Sequence, residues 1–184
     1  MAAIHNALLV FVAAGKNIVT SKHLFGNTVG LINQTLSRLG VESRMIDLLD
    51  LDAVRQAIDE GTACLFLEIV TNPQMEVADL TALAAIAHER GIPLIADTTL
   101  IPFTEFSAKD LGVDVEVVSS TKYISGGATS LGGLGGNRDG RALYDSCRSG
   151  AQASLLCAPQ PLPRPARSLW RDRSRAGHHR QSPY

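Results

Sequence analysis

The chain has 184 residues, 45 % of them hydrophobic and 19 % charged, with a formal net charge of −1. That length allows one domain with a real core, the composition is that of an ordinary soluble globular protein, and the near-zero total charge gives no reason to expect a nucleic-acid partner. Three scattered cysteines, Cys64, Cys147 and Cys157, argue against a disulfide framework or a zinc site and fit a reducing cytoplasm.

Residues 2–14 read as a helix ending at Gly15. Its apolar stretch Ala7–Ala14 has no Lys or Arg before it, so it does not read as an export signal, and it is too short to span a membrane. A short strand is expected at Asn17–Ser21. Residues 27–39 read as a helix with Val29, Ile32, Leu36 and Leu39 on one face and Gly40 as its stop. A strand at Val41–Ile46 follows. Asp50 caps a helix through residue 59 that turns Leu51, Val54 and Ile58 inward. Cys64–Val70 is an almost unbroken apolar run, as a strand covered on both faces requires. Asp79 opens the clearest helix, with Leu80, Leu83, Ala84 and Ala87 buried and Arg90-Gly91 as its end. Strands are expected again at Ile92–Ala96 and Val113–Val118. Short apolar runs alternating with helical patterns predict an α/β fold, a mostly parallel sheet with helices on both faces.

Composition changes along the chain. Residues 1–134 hold 15 acidic and 8 basic residues, whereas residues 135–184 hold 3 and 9, all nine of them Arg. Pro159, Pro161, Pro163 and Pro165 forbid a helix there. Residues 1–134 are therefore read as the folded part. Residues 135–184 are read as a disordered or non-native tail, such as a frameshifted end, in preference to a nucleic-acid-binding arm.

Ligands of open α/β sheets bind at the carboxyl ends of the strands. Those ends carry Thr71-Asn72-Pro73, Asp97-Thr98-Thr99 and Ser119-Ser120-Thr121-Lys122, the last followed by a glycine-rich stretch. An amine, a carboxylate, an amide and several hydroxyls thus share one edge. That set suits pyridoxal 5′-phosphate, which needs a lysine for its aldehyde, a carboxylate opposite its pyridine nitrogen, and donors for its phosphate. Singly, Lys122 also fits a solvated loop lysine, Asp97 a turn cap, Asn72 a turn opening, and Ser119 and Thr121 strand-end hydroxyls. No phosphate-binding glycine fingerprint for nucleotides is present.

Three segments carry a resemblance. Val117–Gly127, Ala96-Asp97-Thr98-Thr99 and Glu68 through Asn72-Pro73 resemble, in order and separation, the signatures of the transsulfuration (Cys/Met metabolism) family of pyridoxal-phosphate enzymes. The resemblance implies the large domain of an aspartate-aminotransferase-like fold. It also implies Lys122 as the lysine that holds the cofactor and moves protons, Asp97 as partner of the pyridine nitrogen, and Ser119 and Thr121 as phosphate ligands. Asn72 would contact the cofactor's 3′ oxygen and the substrate carboxylate. Phe25 falls where the family carries a ring-stacking Tyr, which keeps the stacking and loses the phenol; a plain core residue is the equal alternative. Met1-Ala2-Ala3-Ile4 is similar to the interior of a phosphate-cradling helix start, so the sequence is expected to begin inside a cofactor loop. The family's substrate-clamping Arg and its inter-subunit arm are not recognised.

The wording of 125–133 is most similar to O-acetylhomoserine sulfhydrylases, which implies γ-replacement on an activated homoserine in sulfur amino-acid metabolism, with methionine or cystathionine γ-lyase as the alternative. A homo-oligomer and an amino-acid substrate follow from the same resemblance. The competing reading, and the behaviour expected of the chain in isolation, is a non-catalytic piece that at most binds the cofactor, because catalysis needs the substrate held and the site closed.

Overall fold

In the computed structural model, residues 1–101, 107–126, 131–137 and 142–148 are described. In chain order the elements are α1 (Ala2–Leu9), β1 (Asn17–Ser21), α2 (Gly26–Gly30), β2 (Glu42–Ile46), α3 (Leu51–Ala57), β3 (Thr62–Glu68), α4 (Leu80–Glu89), β4 (Leu94–Asp97), β5 (Val115–Val118), β6 (Leu131–Asn137) and β7 (Ala142–Arg148). They build one seven-stranded sheet in the order β2-β1-β3-β4-β5-β6-β7. The first five strands are parallel; β6 runs antiparallel to β5, and β7 to β6.

The continuous apolar runs form strands because both faces of the sheet are covered. Successive residues alternate between two cores. Val19, Leu65, Leu67, Leu94 and Ala96 pack with α3 and α4 residues such as Val54, Leu83 and Ile86. Ile18, Phe66, Ile95, Val115 and Val117 pack on the other face with Ile4, Leu8, Ile32 and Leu36. Between β1 and β3 the chain's connections diverge, first out to β2 and then back across, the strand-order reversal beside which open α/β sheets bind ligands at the carboxyl ends of their strands.

The expected caps are present. Asp50 accepts from the amides of Asp52 and Ala53, and Asp79 from that of Ala82 at 3.0 Å. Replacing Asp79 with Ala is expected to lower stability by about 1 kcal/mol in urea unfolding; an unchanged midpoint would show the cap to be idle. At the far end of α4, Gly91 sits at φ +70. The Gly91 amide bonds the His88 carbonyl and the Ile92 amide bonds that of Ala87, the paired closure that lets a helix stop at a left-handed residue.

Five expectations need correction, the smallest being the Asp50-capped helix, which ends at Ala57 and not at residue 59. The first helix stops at Leu9, not residue 14: Ala3, Ile4, Ala7 and Leu8 reach the sheet, while Leu9 and Val10 are exposed. The second begins as α2 but continues as a π-helical segment over Leu31–Leu36. The wider turn shifts the face, so Ile32 and Leu36 are buried and Leu39 is 52 % exposed. The strands expected at Val41–Ile46, Cys64–Val70, Ile92–Ala96 and Val113–Val118 shift by one to two residues at their ends. Finally, the sheet runs past Leu134. Strand β6 pairs with β5 from Val118↔Leu134 to Val115↔Asn137, and β7 follows on its other side. The remaining Arg/Pro-rich residues, 149–184, lie outside the described residues.

Candidate functional site

The three segments singled out in the sequence all emerge at the carboxyl ends of parallel strands. Asp97 closes β4, and its main chain lies opposite Glu68, the last residue of β3. Burial pushes the Asp97 carboxyl above the usual carboxylate range; the Thr99 bonds and the α-amino group of Met1 pull in the other direction. Met1 itself starts α1, with its carbonyl accepting from the His5 amide at 3.0 Å.

Thr99 joins the two halves of the edge. Its amide donates to Asp97 Oδ1 at 2.9 Å and its hydroxyl to the same oxygen at 2.5 Å. Across to β5, the Ser119 amide donates to Thr99 Oγ1 at 2.9 Å. From Ser119 the chain enters a tight turn in which the Lys122 amide bonds the Ser119 carbonyl at 3.2 Å and the Ser125 amide bonds that of Ser120 at 2.9 Å. Gly126 takes φ +63 there, a conformation that disfavours a side chain. Lys122 is exposed and, with Thr99, Leu100, Tyr123 and Gly126, walls an open cavity of about 370 Å³. Thr121 faces β6: its hydroxyl accepts from the Gly132 amide at 3.1 Å and reaches the Gly132 carbonyl at 3.3 Å.

Phe25 is 46 % exposed, so it is not a core residue. Its amide donates to Glu68 Oε1 at 3.0 Å, and the Thr28 hydroxyl donates to the same oxygen at 3.3 Å. Glu68 is only 8 % exposed. Burial raises its carboxyl to about 7, with Asp97 adding to the rise and the bonds from Phe25 and Thr28 opposing it.

The expected residues therefore fall into a connected group and two outliers, one of them Thr121, whose hydroxyl is turned onto the Gly132 main chain of β6. Asp97, Ser119 and Lys122 are linked through Thr99; Met1 is close enough for its charge to act on Asp97; Phe25 is tied to Asp97's neighbour Glu68. Asn72 shares the edge but stays on the exposed loop after β3 and does not wall the cavity. That loop is closed by Thr71, whose hydroxyl accepts from the Glu76 amide, and by a hydrogen bond between His23 Nδ1 and Glu76 Oε2 at 2.7 Å. Sequence reasoning did not single out Thr99 or Glu68 as site residues. The available signals were an Asp-x-Thr spacing, which suits a side chain bonding a backbone amide two residues on, and a lone acid closing an apolar strand.

Residues 1–151 match the model of the Cys/Met metabolism PLP-dependent enzymes. The chain is 38 % identical over 134 residues to O-acetyl-L-homoserine sulfhydrylase of Corynebacterium glutamicum, covering 72 % of this chain and 31 % of the relative. It is 37 % identical over 136 residues to L-methionine gamma-lyase of Fusobacterium nucleatum, covering 73 % and 34 %. Among solved structures, O-acetylhomoserine sulfhydrylase of Wolinella succinogenes superposes with a TM-score of 0.65 at 50 % identity, over 68 % of this chain and 37 % of that one. The chain spans about a third of the length of the curated relatives it matches. With an α/β sheet of this order and these residues along its carboxyl edge, the chain belongs to the Cys/Met metabolism family of pyridoxal-phosphate-dependent enzymes.

Proposed function

We propose that this chain carries the cofactor-binding part of an enzyme that replaces the γ-substituent of an activated homoserine, such as O-acetylhomoserine, with sulfide or a thiol. The observation that carries the reading is the half-buried Asp97 carboxylate, bonded through Thr99 to the turn that presents Lys122. The donor set fits pyridoxal phosphate. A carboxylate whose pKa burial has raised is stabilised by an adjacent cation, which a protonated pyridine nitrogen supplies. Ser119 offers a hydroxyl to a phosphate dianion, Thr121 would have to release its bond to the Gly132 carbonyl to do the same, and the exposed Phe25 ring offers a stacking face without a phenol. When bound, the cofactor supplies an electron sink for the pair left by a breaking substrate C–H bond. The Lys122 amine would hold the cofactor and carry protons between the substrate's α and γ carbons, while Asn72 would meet the substrate carboxylate from the loop after β3.

The proposal includes self-association and a cytoplasmic location. Self-association is supported by apolar side chains on the site's edge: Phe25, Met75, Leu100, Tyr123 and Ile124 are each more than a third exposed. The location rests on the three scattered cysteines. A γ-lyase acting on methionine or cystathionine is the second reading, supported by the near-equal identity to the Fusobacterium lyase. Titrating the chain with pyridoxal phosphate should give a saturable visible band. Assays with O-acetylhomoserine plus sulfide should then release homocysteine. Release of 2-oxobutyrate and ammonia from methionine instead would select the lyase, and no saturable band at all would overturn both.

A further inference from the structure

We infer that Thr99 is a positioning residue that aims the Asp97 carboxylate and locks it to the turn carrying Lys122, an inference that rests on the cofactor site proposed above. The direction of its hydrogen bonds is fixed by chemistry. The Ser119 amide can only donate, so Thr99 Oγ1 accepts from it at 2.9 Å. A hydroxyl has one proton, and Asp97 Oδ1 takes it at 2.5 Å. The Thr99 amide places a second donor on that same oxygen at 2.9 Å. Two donors therefore fall on Oδ1, and among the described residues no hydrogen bond reaches Oδ2. Oδ2 is thus the oxygen left open to a carboxyl proton, and it is the atom at which a cationic ring nitrogen would meet Asp97.

Thr99 has little freedom to leave this arrangement. The preceding residue, Thr98, is fully buried; its amide bonds the Val117 carbonyl at 2.9 Å and its hydroxyl bonds Glu116 at 2.6 Å. The segment is thus pinned to β5 on one side while Thr99 spans to Ser119 on the other. Thr99 also shares the cavity wall with Lys122. A movement of the Ser119–Lys122 turn withdraws the Ser119 donor from Thr99, and the carboxylate feels it through one hydroxyl. The other charges at Asp97 are Glu68, opposite it on β3, and the Met1 amino group.

The test compares the chain with Thr99→Val, which keeps the shape and loses the hydroxyl, and Thr99→Ser, which keeps the hydroxyl. Amide hydrogen exchange at Ser119, measured without cofactor, should speed up about tenfold in the Val variant and stay unchanged in the Ser variant. The pyridoxal phosphate concentration for half-saturation of the visible band should rise about tenfold in Val only. Ser119 exchange in Thr99→Val equal to that of the unaltered chain overturns the inference. A missing visible band in the unaltered chain sinks the proposed function instead, and the exchange comparison still decides whether Thr99 holds Ser119 to Asp97. If Thr99→Val does not fold, NMR of the unaltered chain decides: the Ser119 amide shift should titrate with the midpoint of the Asp97 carboxyl carbon. A Ser119 amide that ignores that titration overturns the inference as well.

Discussion

Lys122→Ala should abolish both the visible band and the label fixed by borohydride reduction in the presence of pyridoxal phosphate. Turnover in the γ-replacement assay should fall by about 10²–10⁴-fold from lost proton transfer alone, and further from loss of the covalent anchor. The loss would be chemical, because Lys122 is exposed on a turn held by main-chain bonds that Ala retains; an exposed substitution of this kind changes stability by roughly 0.5 kcal/mol or less. The competing lysines differ in circumstance. Lys22 also follows a parallel strand, but its ammonium bonds Asp47 at 2.8 Å, and that bond raises its pKa and depletes the reactive amine. Lys16 is engaged with the Glu60 carbonyl at 3.2 Å, and Lys109 lies in the 3₁₀ turn before β5. Peptide mapping that finds the same label yield in Lys122→Ala, relocated to Lys22, would remove Lys122 from the site.

How much of this was legible beforehand depends on whether a feature is local. Strand β1 was read to the residue, and β3 and β4 were recognised from apolar runs, because a strand covered on both faces needs no polar alternation. The caps Asp50 and Asp79 were legible because a cap acts within three residues. The π-helical segment was not, since one extra residue in a turn leaves no mark in composition and shows only when Leu39 rotates outward. Strand β6, Leu-Gly-Gly-Leu-Gly-Gly-Asn, has neither strand propensity nor alternation. It is a strand because β5 offers it an edge to pair with. The same divide runs through the site. Asp97, Ser119 and Lys122 stood out as chemistry at strand ends, but the Thr99 link crosses twenty residues of sequence and exists only because β4 and β5 are neighbours. Glu68 was quoted as a motif residue; its proximity to Asp97 is a matter of register.

That register gives the second large effect, a stability that falls as pH rises. Glu68 accepts two hydrogen bonds, yet burial and the neighbouring Asp97 outweigh them and carry its carboxyl from 4.5 to about 7 in the folded chain. A raised carboxyl pKa means that the fold holds a proton that the unfolded chain has already released. The stabilisation is fully present below pH 4.5, declines by about 1.4 kcal/mol per pH unit as pH rises, and is lost above 7, a total of roughly 3 kcal/mol. Asp97, displaced upward by burial, contributes in the same direction from a lower starting point. Glu68→Gln keeps an oxygen for the Phe25 amide and the Thr28 hydroxyl and has no charge to bury. Urea unfolding between pH 4.5 and 8.5 should therefore show a steep decline for the unaltered chain and a much shallower one for Glu68→Gln. The two should converge at the acid end, with the variant the more stable at pH 8.5; Asp97→Asn should flatten the curve further. Parallel curves for the chain and Glu68→Gln would mean that Glu68 is ionised throughout the range. Its grip on the Phe25 turn would then be that of an ordinary charged cap, with no dependence on protonation.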